Sequence, residues 1–325
     1  MLESLASGLS EEDLGLASPI LVTGAIRSGT TWTGKMLLHS GETGYINEPF
    51  NVLQQPGWVS EPFPSQALYI CSDNESAYAR RVAGVMAMSY PIIQNIRSVR
   101  SLRGMARLLR DSERSVQYRL RRVRPLIKDP FALFSAEWLA RRYDANVVIV
   151  IRHPAGFVSS LKRLNWGRDF AFLAGQGLLL RDYLGPFAHE ICAYAEGGDE
   201  IDVIDRAILK WKCWYHVVHE LEQRHPEWIF VKYEELAAEP VEGYKGLYER
   251  LTLRWDEKVA EKVSEFSSVL NPKEAPLWAS PHTIRRDSLA ATRTWRTRLS
   301  EGEIRRIRLG VGDVARHFYS EEDWR

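Results

Sequence analysis

The strongest constraint on the fold lies near the start of the sequence, where an apolar run, a glycine-bounded turn and a helical pattern follow one another. The run PILVTG (residues 19–24) predicts a buried strand, and TTWTGKMLLHS (residues 30–40) has apolar residues at helical intervals. A strand that leads through a tight turn into a helix gathers the backbone N–H groups of the turn at the helix N-terminus. The segment therefore predicts an α/β fold with an anion site at this turn.

Later apolar runs extend the alternation of strands and helices. The run NVVIVIR (residues 146–152) is almost continuously β-branched, which is typical of a strand covered on both faces in a parallel sheet. The segment EWIFVKYEEL predicts a strand over residues 228–233 and then a helix start, while Ser300 and Glu303 form a capping-box pattern before the last long helix. We therefore predict an α/β fold, a P-loop-like parallel sheet flanked by helices, in one domain over residues 1–325.

Residues 91–127 stand out as an arginine-rich, helical insertion. Ten arginines lie between positions 97 and 127, against only two acidic residues, Asp111 and Glu113. One interpretation is a solvated helical segment with a buried apolar side. Its buried side would consist of Ile96, Val99, Leu102, Met105 and Leu109. The other interpretation is a basic lid, or a docking face for an acidic acceptor or an anionic surface. The sequence leaves both open.

Composition limits the partners and the compartment. Lys and Arg number 43 against 42 Asp and Glu, so bulk charge argues neither for nor against a nucleic-acid partner, and any anion site must be a local cluster. No nucleic-acid partner is expected. Three cysteines without C-x-x-C spacing fit a reducing compartment. We expect residues 1–17 to be poorly ordered, and they resemble no secretory signal. Without a run of about 18 apolar residues, no transmembrane segment is expected, so we expect a soluble, cytoplasmic protein. The sequence indicates no oligomeric state.

The turn after the first strand resembles a phosphate-binding loop that lacks one part. Gly24 and Gly29 have the spacing of the glycines in G-x-x-x-x-G-K-[ST], and Thr31 occupies the place of the final hydroxyl. Thr30 stands where the lysine would be, and the nearest cation is Arg27, inside the loop. Either the loop is an altered nucleotide site, or it is an intact site for another phosphate donor.

Three further segments carry charged residues that suit the same chemistry. NEPFN (residues 47–51) places Glu48 about twenty residues after the loop. IKDPF (residues 127–131) contains Lys128. In VIRHPAGFVSS, Arg152 ends a predicted strand and Ser160 follows eight residues later.

The order and spacing of these segments resemble the sulfotransferases that use 3′-phosphoadenosine 5′-phosphosulfate (PAPS). RSGTTW (residues 27–32) is similar to that family's 5′-phosphosulfate loop, and IRHPAGFVSS (residues 151–160) to its 3′-phosphate motif. VKYEELAAEP (residues 231–240) and TRTWRTRLSEGEI (residues 292–304) resemble its later motifs. Within the family, the loop arginine, the glutamate and KDPF look most like tyrosylprotein sulfotransferases. The Glu-Pro pair after the loop is also similar to carbohydrate sulfotransferases.

The resemblance implies a donor site with two anion-binding regions and an aromatic contact. Backbone N–H groups of Ser28, Gly29, Thr30 and Thr31, with both threonine hydroxyls, would bind the 5′-phosphate. Arg152 and Ser160 would bind the 3′-phosphate, since the planar guanidinium suits it. Trp32 would stack on adenine, and a second group is expected to close over the nucleotide: Arg285, Arg286 and Trp295.

The same resemblance implies how the sulfuryl group would move. Arg27 and Lys128 would supply positive charge to the leaving phosphate and to the sulfuryl oxygens, so no metal is expected. Glu48 would take the proton of the acceptor hydroxyl. In-line attack would then yield 3′-phosphoadenosine 5′-phosphate (PAP) and a sulfate ester.

The acceptor and two rival functions stay open at this point. A hydroxyl of a carbohydrate, glycolipid or small-molecule alcohol is favoured over peptidyl tyrosine, and residues 162–187 are expected to line its pocket. One rival is an ATP-dependent P-loop kinase, which would need a lysine after Gly29 and a carboxylate for Mg²⁺. The other is a non-catalytic nucleotide-binding or scaffold protein whose working surface is the arginine-rich insertion.

Overall fold

Five parallel strands form the central sheet of this computed structural model, which describes residues 18–166, 169–197, 200–272 and 285–325. Their spatial order is β2–β3–β1–β4–β5. The strands are β1 (Ile20–Gly24), β2 (Thr43–Asn47), β3 (Arg124–Lys128), β4 (Asn146–Ile151) and β5 (Ile229–Lys232). The predicted α/β class is confirmed, and the three predicted strands are β1, β4 and β5. The expectation for residues 1–17 lies outside the described residues.

Helices flank the sheet on both faces. The first half of the chain forms α1 (Thr30–Leu37), α2 (Ala79–Met86), α3 (Ile92–Ile96), α4 (Leu102–Arg121), α5 (Ala136–Tyr143), α6 (Pro154–Leu164), α7 (Ala171–Ala174) and α8 (Gly177–Leu179). The second half forms α9 (Ala188–Gly197), α10 (Val203–Arg224), α11 (Tyr233–Ala238), α12 (Pro240–Arg250), α13 (Glu257–Ser267), α14 (Ser288–Arg293), α15 (Trp295–Arg298) and α16 (Glu301–Ala315). Short 3₁₀ helices cover Leu38–Ser40, Glu75–Ala77, Pro130–Ser135, Gly185–Phe187 and Glu322–Trp324, and a π-helical turn covers Leu180–Leu184.

The sheet separates two apolar clusters, which together form the core of one α/β domain. Ile20 and Val22 of β1 lie in one cluster and Leu21 lies in the other, because successive side chains of a strand point to opposite faces. Val148 and Ile149 of β4 divide in the same way. Burial on both faces explains the continuous apolar run of β4. The predicted capping box of Ser300 is present at the start of α16. That the domain spans residues 1–325 stays a prediction.

The sequence did not reveal β2 and β3. β2 has the sequence TGYIN and β3 has the sequence RPLIK, so neither contains a run of β-branched residues. The expected helical insertion over residues 91–127 is therefore wrong at its end, where residues 124–127 belong to β3. Residues 124–127 form a strand because they pair with neighbouring strands. β3 lies between β2 and β1, and Ile20 is in register with Leu126.

The buried side expected for the arginine-rich segment is also wrong. Ile96, Leu102, Met105 and Leu109 are exposed, and Val99 is partly buried against the core. The buried side of α4 contains Leu108, Asp111 and Ser115. The Ser115 hydroxyl donates to the Met88 carbonyl oxygen (2.7 Å) and accepts from the Tyr90 N–H (3.1 Å). Polar contacts thus attach this side of α4 to the rest of the protein. A pattern of apolar residues does not reveal a buried side of this kind.

No helix within the described ranges combines the length and the apolar character needed to cross a bilayer.

Candidate active site at the carboxyl ends of the strands

A cavity of about 350 Å³ opens beyond the carboxyl ends of the parallel strands. Ligands of parallel α/β proteins commonly bind at this edge, where the loops that follow neighbouring strands meet. Eight of the predicted site residues are distributed around it. Those that line the cavity are Arg27, Gly29, Thr30, Thr31, Trp32, Glu48, Arg152 and Arg286.

The loop between β1 and α1 depends on two glycines. Gly24 has φ 142°, and a Cβ there would lie 2.4 Å from the Val150 carbonyl oxygen. Gly29 has φ 107°, and a Cβ there would lie 2.5 Å from the ring of Tyr233. Both positions therefore exclude a side chain. The turn delivers the chain into α1 at Thr30, where the first N–H groups of a helix have no partner within the helix.

Arginine side chains surround this loop. Arg152 Nη1 donates to the Arg27 carbonyl oxygen (2.5 Å), and Arg27 Nε donates to the Ser160 hydroxyl (3.1 Å). Burial, together with the positive charges of Arg152, Arg286 and Arg163, lowers the pKa of Arg27 to about 10. Arg27 nevertheless stays charged at neutral pH. Several like charges gathered around one cavity indicate a site for a polyanion.

Buried donors at the cavity fit an anionic ligand. Ser28 Oγ, Arg152 Nε and Arg286 Nε are buried and have no hydrogen-bond partner within the described part of the chain. Burying a polar group without a partner is costly, so such groups commonly await a ligand or an ordered water. The backbone of Arg152 is fixed by Tyr215, whose hydroxyl accepts from its N–H (2.7 Å), and by Trp211, whose indole donates to its carbonyl oxygen (3.2 Å).

One carboxylate faces these cations. Glu48 follows β2, is almost buried, and contacts the ammonium group of Lys128, which is fully buried at the end of β3. The Asn51 side chain donates to the other Glu48 oxygen (2.8 Å), and the Glu48 N–H donates to the Lys128 carbonyl oxygen (2.9 Å). Glu48 has φ 47°, a left-handed conformation that is uncommon outside glycine and that clusters at functional sites.

Asp129 fixes the segment that carries Glu48. Its fully buried carboxylate accepts from the backbone N–H groups of Phe50 (2.6 Å) and Phe131 (2.8 Å). Burial raises the pKa of Asp129 to about 7, and the negative charge of Glu48 contributes in the same direction. Asp129 thus holds the turns after β2 and β3 together and positions Glu48 at the cavity.

Several predicted site residues lie behind the cavity or away from it. Ser28, Lys128 and Ser160 are buried and contact the lining residues rather than line the cavity. Trp295 stacks on His153, with ring centroids 5.3 Å apart. Arg285 forms an ion pair with Glu265 and does not line the cavity.

Trp32 is mostly enclosed although it lines the cavity. Its indole is 7% exposed and packs edge-on against Tyr233 and Tyr244, with centroids 5.6 and 5.2 Å away. The exposed indole of the cavity belongs to Trp166, which lies 5.8 Å from the Arg27 guanidinium carbon.

Other cavity residues were not identified as site residues from the sequence. Asn51 lies in the NEPFN motif, and Trp166 lies in the segment expected to line an acceptor pocket. Both residues therefore belong to segments that the sequence had already linked to the site. Tyr233 ends the segment that was predicted as a strand, and the Arg152 guanidinium carbon lies 4.9 Å from its ring centroid. Ser288, the first residue of α14, belongs to none of the predicted motifs.

Chemically, the arrangement can bind a polyanion and remove a proton. The loop after β1, the arginines that follow β1 and β4, and an enclosed carboxylate after β2 all line one cavity. Among the residues that the structure describes, no group of three or more His, Cys, Asp or Glu side chains is placed to hold a metal ion.

A sequence model described as the sulfotransferase family matches residues 19–257. No curated protein sequence matches the chain. The sulfotransferase domain of the olefin synthase of Synechococcus PCC 7002 is similar at 15% identity, with a TM-score of 0.47 and coverage of 97% of this chain and 99% of that domain.

Two further solved structures are similar to a comparable extent. Mouse sulfotransferase SULT7A1, complexed with PAP, is 13% identical with a TM-score of 0.44, over 98% of this chain and 88% of the mouse chain. Sulfotransferase STF9 from Mycobacterium avium is 12% identical with a TM-score of 0.46, over 95% and 79% of the two chains. The family assignment rests on the sequence match, which covers most of the chain and all five strands. The chain therefore belongs to the sulfotransferase family of enzymes.

Proposed function

We propose that this enzyme transfers the sulfuryl group of PAPS to an acceptor hydroxyl. The observation that carries the proposal is that Glu48, Arg27 and Arg152 line one cavity. A kinase of the P-loop type would instead need a lysine after Gly29, where this chain has Thr30.

The donor is proposed to bind through its two charged ends. The N–H groups of the loop from Ser28 to Thr31 hold the 5′-phosphate at the N-terminus of α1. Arg152 and Ser160 hold the 3′-phosphate, which satisfies the buried Arg152 Nε. Trp32 and Arg286 line the cavity and are proposed to contact the nucleoside. Arg285 and Trp295, which lie away from the cavity, are retained only as residues that contact the bound donor after a rearrangement.

The proposed reaction is a single in-line displacement. The acceptor oxygen forms a bond to sulfur while the bond from sulfur to the bridging phosphate oxygen breaks. The acceptor proton passes to Glu48, and PAP leaves with the bridging oxygen. Arg27 stabilises the charge that develops on the leaving phosphate.

Lys128 is proposed to act through Glu48. Its ammonium group contacts the carboxylate and is fully buried. A buried carboxylate needs a paired charge and hydrogen bonds to stay ionised, and Lys128 and Asn51 provide them. Lys128 thus keeps Glu48 charged and oriented until the acceptor arrives.

We propose a hydroxyl of a carbohydrate, a glycolipid or a small-molecule alcohol as the acceptor, with peptidyl tyrosine as the alternative. Asn51 and Trp166 line the cavity that contains Glu48, so they are proposed to contact the acceptor. PAPS carrying labelled sulfur, incubated with fractions of a cell extract, identifies the acceptor by mass analysis of the labelled product.

Thermal-shift titration distinguishes this function from its rivals. A ligand that binds only the folded state raises the melting temperature, so PAP should stabilise the protein without Mg²⁺. Stabilisation by ATP with Mg²⁺ and none by PAP would support a kinase instead. Binding of PAP without sulfated product from any acceptor fraction would support a non-catalytic nucleotide-binding protein.

We also propose that the enzyme works in the cytoplasm or another reducing compartment. Cys71, Cys192 and Cys213 are free thiols in the structure. Protein extracted without reductant should therefore react with three equivalents of a thiol reagent after unfolding, whereas one equivalent would reveal a disulfide.

A further inference from the structure

A row of large apolar side chains lies exposed along α4. Leu102 is 91% exposed, Leu109 is 61% exposed and Leu120 is 80% exposed. Met105 and Val116 are exposed too. At 3.6 residues per turn, these five positions fall on one side of the helix. Single exposed leucines are ordinary, but a row of this length on one helix marks an interaction surface.

This row is distinct from the face that docks α4 on the protein. Leu108, Asp111 and Ser115 form the docked face, and Ser115 bonds the backbone at Met88 and Tyr90. The helix is therefore already held in place by one face while a second apolar face points outward.

α3 adds to the same surface. It packs against α4 and exposes Ile92, Ile93 and Ile96. We call the exposed apolar residues of both helices the α3–α4 face: Ile92, Ile93, Ile96, Leu102, Met105, Leu109, Val116 and Leu120.

The charge around this face is strongly positive although the whole chain is nearly neutral. Residues 91–124 contain ten arginines and two acidic residues, whereas the formal charge of the chain is +1. One of these acids, Asp111, is buried and paired with Arg110. Arg103, Arg119 and Arg121 are exposed on α4 beside the apolar row. The partner of the face must therefore combine an apolar surface with negative charge.

We propose that the α3–α4 face docks on an anionic lipid bilayer. The leucines enter the boundary between headgroups and acyl chains, and the arginines contact the lipid phosphates. A second copy of the chain is disfavoured as the occupant, because pairing this face with itself would bring two sets of arginines together. The proposal goes beyond the transfer reaction and does not depend on it.

The face is connected to the segment that carries Glu48. Asn95 of α3 accepts from the Gly57 N–H (3.1 Å) and donates to the Gly57 carbonyl oxygen (2.6 Å). Between Glu48 and Gly57, the side chain of Leu53 is 80% exposed. A bilayer on the α3–α4 face would thus lie next to the chain segment that begins at Glu48.

Co-sedimentation of the full chain with vesicles tests the proposal. We expect binding to vesicles of phosphatidylcholine mixed with phosphatidylserine, weaker binding as salt is raised, and little binding to phosphatidylcholine alone. The variant Leu102→Gln/Leu109→Gln/Leu120→Gln should bind at least about tenfold more weakly, because apolar area no longer enters the lipid. If the triple variant does not fold, the single variants Leu102→Gln and Leu120→Gln are tested in its place.

A leucine outside the α3–α4 face provides the control for this test. Leu309→Gln changes a leucine of α16 that is 78% exposed outside this face, so its vesicle binding should equal that of the unchanged protein. All variants should keep the melting-temperature shift with PAP, which reports the donor site separately. Failure of the unchanged protein to bind anionic vesicles would overturn the proposal, as would equal binding to neutral vesicles. So would self-association in sedimentation equilibrium that the leucine variants abolish, since a second copy would then occupy the face.

Discussion

The guanidinium of Arg152 donates a hydrogen bond to the backbone carbonyl oxygen of Arg27 over 2.5 Å. Residues from the ends of two neighbouring strands, β1 and β4, are thus joined directly. Ser160 belongs to the same contact, because its hydroxyl accepts from Arg27 Nε (3.1 Å). The loop proposed for the 5′-phosphate and the pair proposed for the 3′-phosphate are therefore one hydrogen-bonded unit.

Replacing Arg152 should weaken donor binding first. In Arg152→Ala, we expect the dissociation constant of PAP to rise about 10- to 100-fold, the usual effect of losing a charge-assisted hydrogen bond to a phosphate. Isothermal titration calorimetry with PAP measures this. Arg254→Ala is the matched control, since Arg254 is mostly exposed, pairs with Asp256 and does not line the cavity, and its PAP affinity should stay unchanged. Equal losses in both variants would remove the special role of Arg152.

Replacing Glu48 should separate turnover from donor binding. Glu48→Gln keeps the size and the hydrogen bond from Asn51 but cannot accept a proton, so turnover should fall about 10²- to 10⁴-fold. PAP affinity should stay within about threefold, because Glu48 is not a proposed donor ligand. Initial rates with labelled PAPS and calorimetry with PAP measure the two effects. Glu235→Gln, a mostly exposed carboxylate on α11, is the control. Unchanged turnover in Glu48→Gln would exclude it as the base.

The Lys128–Glu48 pair should show strong coupling in stability. Lys128→Met leaves the nearly buried Glu48 without its counter-charge, which typically costs about 3–5 kcal/mol in the free energy of unfolding. The double variant Lys128→Met/Glu48→Gln removes both charges and should recover a large part of this loss. Urea unfolding of the single and double variants measures the coupling. Additive losses would mean that the two side chains contribute independently.

The conformation of Gly29 should be essential to the loop. Gly29→Ala would force a left-handed φ of 107° on alanine and place its Cβ 2.5 Å from Tyr233. We expect a loss of at least about 1–3 kcal/mol in the free energy of unfolding and weaker PAP binding. Gly246→Ala in α12, where a Cβ meets nothing within 4 Å, should instead stabilise the protein by about 0.5–1 kcal/mol. Thermal unfolding with and without PAP compares them, and a tolerated Gly29→Ala would contradict this account of the loop.

Stability should fall in mild acid because of His153. Burial among Trp295, Tyr319 and Trp324 lowers the pKa of His153 to about 4, so the folded state keeps the ring neutral. The unfolded chain binds this proton below about pH 6.5. The neutral, buried His153 ring therefore contributes its full stability above about pH 6.5, and this contribution is lost as the pH falls towards about 4. Over this range the free energy of unfolding changes by at most about 1.4 kcal/mol per pH unit.

The variant His153→Asn isolates this effect. Asparagine can replace His153 Nδ1 as the acceptor of the Ala155 N–H at the start of α6, and it does not titrate. The stability of the variant should depend less steeply on pH between about 4 and 6.5. Denaturant unfolding at a series of pH values measures both slopes, and equal slopes would assign the acid sensitivity to other groups.

Strands that are buried on both faces could be predicted, because their own sequences are apolar. β1 and β4 have long apolar runs, and both were predicted. β2 and β3 become strands through pairing: the short TGYIN segment lies in register with RPLIK, and neither sequence indicates a strand alone. The exposed row of α4 was mistaken for a buried side, because helical periodicity shows that an apolar face exists without showing what covers it.

The predictable part of the site is the part that lies in motifs. The loop residues, Glu48 and Arg152 meet at one cavity, as their spacing and order had suggested. The direct pairing of Lys128 with Glu48 was not foreseen, since it depends on β2 and β3 being neighbours. Trp166 was not singled out because its position follows from where α6 ends, at Leu164.

The position of Glu48 directly after the edge strand β2 has a consequence for how acceptor preference can change. Arg27 and Arg152 follow β1 and β4 in the interior of the sheet, whereas β2 lies at its edge beside β3 in the part of the chain that the structure describes. We therefore expect that exchanging the exposed and cavity-lining residues between β2 and β3 for those of another family member leaves PAP affinity unchanged, because Arg27 and Arg152 follow interior strands. Such a chimera should show a changed acceptor preference, since Asn51 lies in the exchanged stretch. Contacts to the acceptor and to the donor would then be partly carried by different parts of one fold.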